Sequence, residues 1–239
     1  MKRLHLHFGT HKTGSTSIQA YLATNQDFFA SAGFAVVRDF DPLDDPDAQK
    51  KFGANCFRIS HLVVRPSLYT PIRIAGVCPP LSGEQLGLAI RSVNKSLRAE
   101  VHDDIILSAE AFSFLRTGQE REDLDRMFDG ISEHPIGFLR ESTAWLRSWA
   151  AQLNRAGLSH NPNEGTAGSI FDFSPESWLV QHEEIRSFFG PRGSYLRYEE
   201  EVARMGSVIP AFLESLGLDP CDCPEWRSLR LNRSDSDAE

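Results

Sequence analysis

At 239 residues, with 41% hydrophobic and 24% charged side chains, the chain is long enough for one substantial α/β domain and ordinary in composition for a folded protein. A formal net charge of −8 argues against nucleic acid or an anionic membrane as the main partner. No apolar stretch is long enough to span a bilayer, Met1–Phe8 lacks the apolar segment of a signal peptide, and Cys56, Cys78, Cys221 and Cys223 complete no zinc pattern. The expectation is a cytoplasmic protein with reduced thiols and no metal site.

In chain order, Leu4–Phe8 reads as a strand bounded by Gly9, and Thr16–Ala32 as a helix with Ile18, Tyr21, Leu22, Phe28 and Phe29 on its apolar face. Phe34–Val37 reads as a second strand, which makes strand, loop, helix, strand the opening of a parallel βαβ unit. The acidic stretch 39–47 is expected to be a solvated loop, and 51–80 short helices and irregular structure forming part of a substrate wall. Ser82 with Gln85 has the spacing of a capping box and opens a helix towards Glu100. Asp104–Leu107 and Pro135–Leu139 are the next strands, followed by a helix from Ser142 to Ala156 stopped at Gly157. Ser174–Pro175 starts a helix that closes at Gly190; Tyr195–Tyr198 is a final strand and Ser207–Leu216 a last helix.

The segment Gly9-Thr10-His11-Lys12-Thr13-Gly14-Ser15-Thr16-Ser17 lies between a strand and a helix. Gly14 allows close backbone approach, the helix start offers N–H groups with a positive dipole end, and Lys12, Ser15, Thr16 and Ser17 add a charge and hydroxyl donors. That combination makes an anion cradle. It is close to a Walker A loop but has Ser15 where that loop requires Lys, so a nucleoside triphosphate site of the usual geometry is disfavoured. The plain alternative is a glycine-bearing turn with an incidental lysine.

A second pattern is Arg140 at a strand end, with Ser148 eight residues on, in the following helix. Roughly two helical turns bring the serine back to the arginine's face, so one phosphate can touch both. Lys12-Thr13-Gly14-Ser15-Thr16 and the Arg140–Ser148 pair together resemble the sulfotransferase family at its 5′-phosphosulfate and 3′-phosphate motifs, and Tyr198-Glu199-Glu200 resembles a Tyr-Glu-Asp stretch similarly placed there. The resemblance implies a three-layer, P-loop-like α/β fold with a central, mostly parallel sheet flanked by helices, as a single domain over 1–239. It also implies 3′-phosphoadenosine 5′-phosphosulfate as donor, adenosine 3′,5′-bisphosphate as product, and Lys12, Thr13, Gly14, Ser15, Thr16, Ser17, Arg140 and Ser148 as the residues that hold it. Two departures point to the bacterial sulfotransferase-like group. Ser17 stands where an adenine-stacking aromatic is usual, and the Arg-Lys-Gly loop is missing, with Arg227, Arg230 and Arg233 as possible substitutes.

Sulfuryl transfer is an in-line displacement in which the protein positions groups and stabilises charge on the leaving oxygen. Lys12 is the candidate for that oxygen. Glu110, just past a strand's carboxyl end, is the first candidate for general base, with a structural role at a helix start as the alternative and His11 as rival. His5 and His7 share one strand face and read as packed sheet residues. Carbohydrate, small alcohol, lipid head group and peptide acceptors all stay open, as do an inactive nucleotide-binding protein and a divergent P-loop kinase. The kinase needs a strand-end Asp, whereas Asp103 and Asp104 precede their strand.

Overall fold

The computed structural model describes residues 1–10, 12–44, 50–68, 70–155, 182–227 and 229. Five strands form one sheet: β1 (Arg3–Gly9), β2 (Phe34–Val36), β3 (Asp104–Ser108), β4 (Ser132–Leu139) and β5 (Ser194–Arg197), in the order β2-β3-β1-β4-β5. Every pairing is parallel. Strand alternation explains the layers. Leu4, Leu6 and Phe8 point into one core with Ile105 and Leu107, while Ile106, Ile136 and Phe138 point into a second core on the opposite face.

Helices cover both faces. The first core is closed by α3 (Phe57–His61), α5 (Gly83–Ala99), α6 (Gly118–Met127), α7 (Ser142–Arg155) and α8 (His182–Phe189), which supply Ile59, Ile90, Leu124, Trp145 and Ile185. The short α4 (Pro71–Ile74) lies between α3 and α5 in the chain. The second core receives α1 (Ser15–Thr24), α2 (Gln26–Ser31) and α10 (Ile209–Ser215) through Ile18, Tyr21, Phe29 and Phe212, with Val202 of α9 (Tyr198–Met205) at its edge. This is the expected three-layer, P-loop-like α/β arrangement. Among the described residues no helix is long and apolar enough to cross a membrane, and no group of three His, Cys, Asp or Glu side chains is placed to hold a metal ion.

Connectivity decides where a ligand sits. From β1 the chain leaves towards β2, whereas from its neighbour β4 it leaves towards β5. Strands whose connections diverge leave a crevice at their carboxyl ends, between β1 and β4.

Several expectations need correction. The helix expected over Thr16–Ala32 is two helices broken at Asn25, whose backbone N–H and side-chain amide both donate to the Tyr21 carbonyl, at 3.1 and 2.9 Å. That local bond competes with continuing the helix. Ser82 makes no cap hydrogen bond; the capping box forms at Thr117 and Glu120, opening the unforeseen α6. The stretch from Asp39 is not simply solvated, because Asp39 and Phe40 are fully buried, with Asp39 accepting from Arg58 Nη1 at 3.0 Å. Burial pushes the Asp39 carboxyl up to about 6, against the opposing pull of Arg58. Tyr198 belongs to α9, not to the last strand. His11, Gly157, the helix start at Ser174–Pro175, and Arg230 and Arg233 lie outside the described residues.

Candidate active site

The loop after β1 is built by two left-handed residues. Lys12 has φ +70° and Gly14 φ +78°. The first is unusual for a residue with a side chain and costs on the order of 1–3 kcal/mol, so its surroundings must hold it there. Arg140 does so, donating from Nη1 to the Lys12 carbonyl at 2.8 Å. Gly14 caps α1, and its carbonyl accepts from Ser17 and Ile18 N–H at 2.9 and 3.2 Å. A Cβ on Gly14 would lie 2.7 Å from Val208 Cγ2 of the α10 start, so the position needs glycine for space as well as conformation.

Inside the loop the side chains turn inward. Thr10, Thr13 and Ser15 are fully buried or within 1% of it, yet their hydroxyl oxygens make no hydrogen bond among the described residues. A Cβ at Gly9 would lie 2.1 Å from Thr13 Oγ1 and 2.7 Å from Ser15 Oγ, so the missing side chain at Gly9 is what lets these hydroxyls converge. Buried hydroxyls are normally paired, and leaving one unpaired costs about 1–3 kcal/mol. Donors gathered at the start of a ten-residue helix fit an anion such as a phosphosulfate. Ser17 is buried, Lys12 half-buried and Thr16 exposed.

Arg140 stands one residue beyond β4 and is brought to this loop by the sheet register, which sets Gly9 opposite Phe138 and places Thr10 N–H 3.0 Å from the Phe138 carbonyl. Its guanidinium lies 4.9 Å from the Tyr198 ring centroid, and its Nε 3.4 Å from Glu199 Oε1. Tyr198 also approaches the loop, since a Cβ on Gly14 would be 3.8 Å from its ring. Ser148 is half-buried on α7, and the Arg140 guanidinium is held among Lys12, Tyr198 and Glu199. The structure thus joins Arg140 to the loop after β1 more directly than their separation in sequence suggests.

Glu110 opens a 3₁₀ turn (Glu110–Phe114) immediately after β3 and is half-buried. Its field acts on His7, the fully buried residue paired in register with Ser108. His7 Nδ1 lies 2.7 Å from Ser108 Oγ, which also accepts from Gln19 Nε2 at 3.3 Å. Burial drives the His7 pKa down to about 3 and Glu110 only partly counters it, so this imidazole is neutral near pH 7. His5 bonds Asp104 at 2.9 Å at the other end of the strand, so both histidines are hydrogen-bonded sheet residues. Asp104 also pairs with Arg3, and the Asp103–Asp104 pair stands at the amino end of the sheet, away from the loop.

Sequence reasoning gave no role to the residues around a cleft of about 450 Å³ at the carboxyl ends of β4 and β5, lined among others by Leu139, Ser142, His182, Arg197 and Glu199. The one signal present was the Tyr198-Glu199 stretch.

No family model and no curated protein matches the chain. Among solved structures it is similar to a sulfotransferase from Alicyclobacillus acidocaldarius, with a TM-score of 0.54 and 13% identity over 99% of this chain and 88% of that one. It is also similar to a sulfotransferase domain from the curacin biosynthetic pathway, with a TM-score of 0.46 and 10% identity over 98% of this chain and 80% of that one. The parallel sheet, with a glycine-bearing loop after β1, is a sulfotransferase-like fold.

Proposed function

We propose that this chain transfers a sulfuryl group from 3′-phosphoadenosine 5′-phosphosulfate to a hydroxyl or amine of a small-molecule or carbohydrate acceptor. One observation carries the reading: three buried hydroxyls without partners among the described residues, on Thr10, Thr13 and Ser15, lie in the loop that opens α1 and is tied to Arg140. Bound there, the donor supplies an activated sulfuryl group on a phosphosulfate anhydride.

Each residue then has a physical task. Thr13, Gly14, Ser15, Thr16 and Ser17 offer backbone and hydroxyl donors to the 5′ side. Lys12 places a positive charge where negative charge builds on the leaving oxygen. Arg140, with Ser148 on the adjacent helix, takes the 3′-phosphate, for which a guanidinium fork is the suited partner. Glu110, just past the carboxyl end of β3, accepts the acceptor's proton. His11 is the other candidate for that proton. No metal enters this scheme.

Nucleotide titration followed by an acceptor screen tests the reading. Adenosine 3′,5′-bisphosphate is expected to bind without Mg²⁺ and more tightly than ATP with Mg²⁺, and labelled donor to pass its sulfate to at least one acceptor. Bisphosphate binding with no transfer to any acceptor class would reduce the protein to a nucleotide-binding one. A preference for the Mg²⁺ triphosphate would sink the donor assignment.

A further inference from the structure

At the end of β4 a second anion-binding arrangement is already filled by the chain's own carboxylates. Helix α7 begins here, with first-turn N–H groups available to an anion. Glu141 takes two of them, accepting from Thr143 N–H at 2.9 Å and Ala144 N–H at 2.7 Å, and these bonds hold its carboxyl below the ordinary range. Glu199, arriving from α9, takes the adjacent one: its Oε2 accepts from Glu141 N–H at 3.2 Å, while its Oε1 lies 3.4 Å from Arg140 Nε. A backbone N–H beside a helix start and one edge of a guanidinium are what a phosphate oxygen seeks.

The partners are not equally fixed. Arg140 is 18% exposed at its side chain, tied through Nη1 to the Lys12 carbonyl and packed against Tyr198. Glu199 is 42% exposed and reaches in from the rim of the cleft. When a dianionic group arrives, the carboxylate is therefore the part that swings out, and the arginine stays with the loop.

We infer that Glu199 is a built-in competitor for Arg140, which a ligand's 3′-phosphate displaces, so that it limits how tightly that phosphate is held and how long it stays. The inference rests on the donor reading above. The pair is half-buried and, at 3.4 Å, is too long for a hydrogen bond, so its displacement lowers affinity without preventing binding.

Calorimetric titration with adenosine 3′,5′-bisphosphate and with adenosine 5′-monophosphate, which lacks the 3′-phosphate, separates the possibilities. Glu199→Gln and Glu199→Ala are both expected to bind the bisphosphate on the order of fivefold more tightly, with the monophosphate unchanged. The gain should vanish in an Arg140→Ala background and shrink as salt is raised. Unchanged or weaker bisphosphate binding in both variants, with the wild type still preferring bisphosphate, would overturn the competitor role and make Glu199 a support for Arg140. A gain that survives Arg140→Ala would overturn it too. A wild type that does not distinguish the two nucleotides would instead remove the donor reading, and the competitor with it.

Discussion

Beside α6 the buried carboxylate of Glu120 is saturated: Oε1 accepts from Arg65 N–H and Nη1 at 3.0 and 2.7 Å, and Oε2 from Arg116 and Thr117 N–H at 2.7 and 2.8 Å. Asp39, equally buried, accepts from Arg58 and Ile59. At the end of β1 the opposite holds, since Thr10, Thr13 and Ser15 bury hydroxyls that bond nothing among the described residues. At these two structural carboxylates the chain engages every oxygen. Where it leaves three together beside a helix start, the missing partner is best sought in a ligand. Disturbing the first region should cost stability; disturbing the second should cost binding or turnover.

The largest expected effect is in pH, and the two regions enter with opposite signs. On β1, just before the loop, His7 takes a proton only near pH 3, whereas an unfolded histidine takes one near 6.5. Its contribution is whole above pH 6.5 and lost as pH falls towards 3, on the order of 5 kcal/mol at full extent. In the paired region Asp39 holds its proton up to about pH 6, against 3.8 unfolded. That contribution is whole below pH 3.8 and lost as pH rises to 6, on the order of 3 kcal/mol. Urea midpoints from pH 3 to 7 should show His7→Gln flattening the acid loss. Asp39→Asn, whatever it costs at low pH, should flatten the wild type's loss as pH rises from 4 to 6. Identical acid slopes in wild type and His7→Gln would contradict the buried neutral imidazole.

Next in size is Glu120→Ala. Removing a buried carboxylate strands the Arg65 guanidinium and three backbone N–H groups, those of Arg65, Arg116 and Thr117, a loss of roughly 3–5 kcal/mol. Any turnover per folded molecule should be unchanged, because the defect lies outside the loop. A normal melting temperature would show that the Arg65–Glu120 pair contributes nothing net.

The same comparison explains what was legible in the sequence. The strand–loop–helix from β1 to α1 was, because its glycines, lysine and hydroxyls are contiguous between an apolar strand and a helical period. So was the position of Arg140, since a parallel strand delivers its next residue to the ligand edge. The pairings that decide burial were not. Ser82–Gln85 and Thr117–Glu120 have the same local spacing, yet only the second forms a capping box, and Glu120 is fixed there by Arg65, 55 residues earlier. Arg140's contact with Glu199 likewise depends on β5 lying beside β4, which no local pattern announces. Asp39 read as part of an acidic loop because Arg58 and the helix start that bury it come 19 residues later.

Lys12→Ala tests the loop region through chemistry. With a suitable acceptor it should lower turnover by roughly 10²-fold, or about 3 kcal/mol in the barrier, the scale of losing one electrostatic contact to a developing negative charge. Stability should stay level, because alanine tolerates the left-handed backbone no better than lysine and the Arg140 bond goes to the backbone carbonyl. Full turnover in the variant would remove Lys12 from the reaction.

The smallest effect is the sharpest contrast. Thr13→Val replaces the buried hydroxyl with a methyl of nearly the same shape. Had Thr13 Oγ1 a structural partner, as Glu120 has, the change would orphan that partner and lower stability. Because it bonds nothing among the described residues, exchanging it removes a desolvated polar atom, and the ligand-free protein should gain about 1 kcal/mol. The same variant loses a donor from the cradle, so adenosine 3′,5′-bisphosphate should bind several-fold more weakly, by about 1 kcal/mol. Thermal unfolding with and without nucleotide reads both at once: a higher melting temperature alone, and a smaller shift when ligand is added. A destabilised variant with an unchanged ligand shift would place Thr13 with Glu120 among the structural groups, and the loop would lose its claim to be a site held open for an anion.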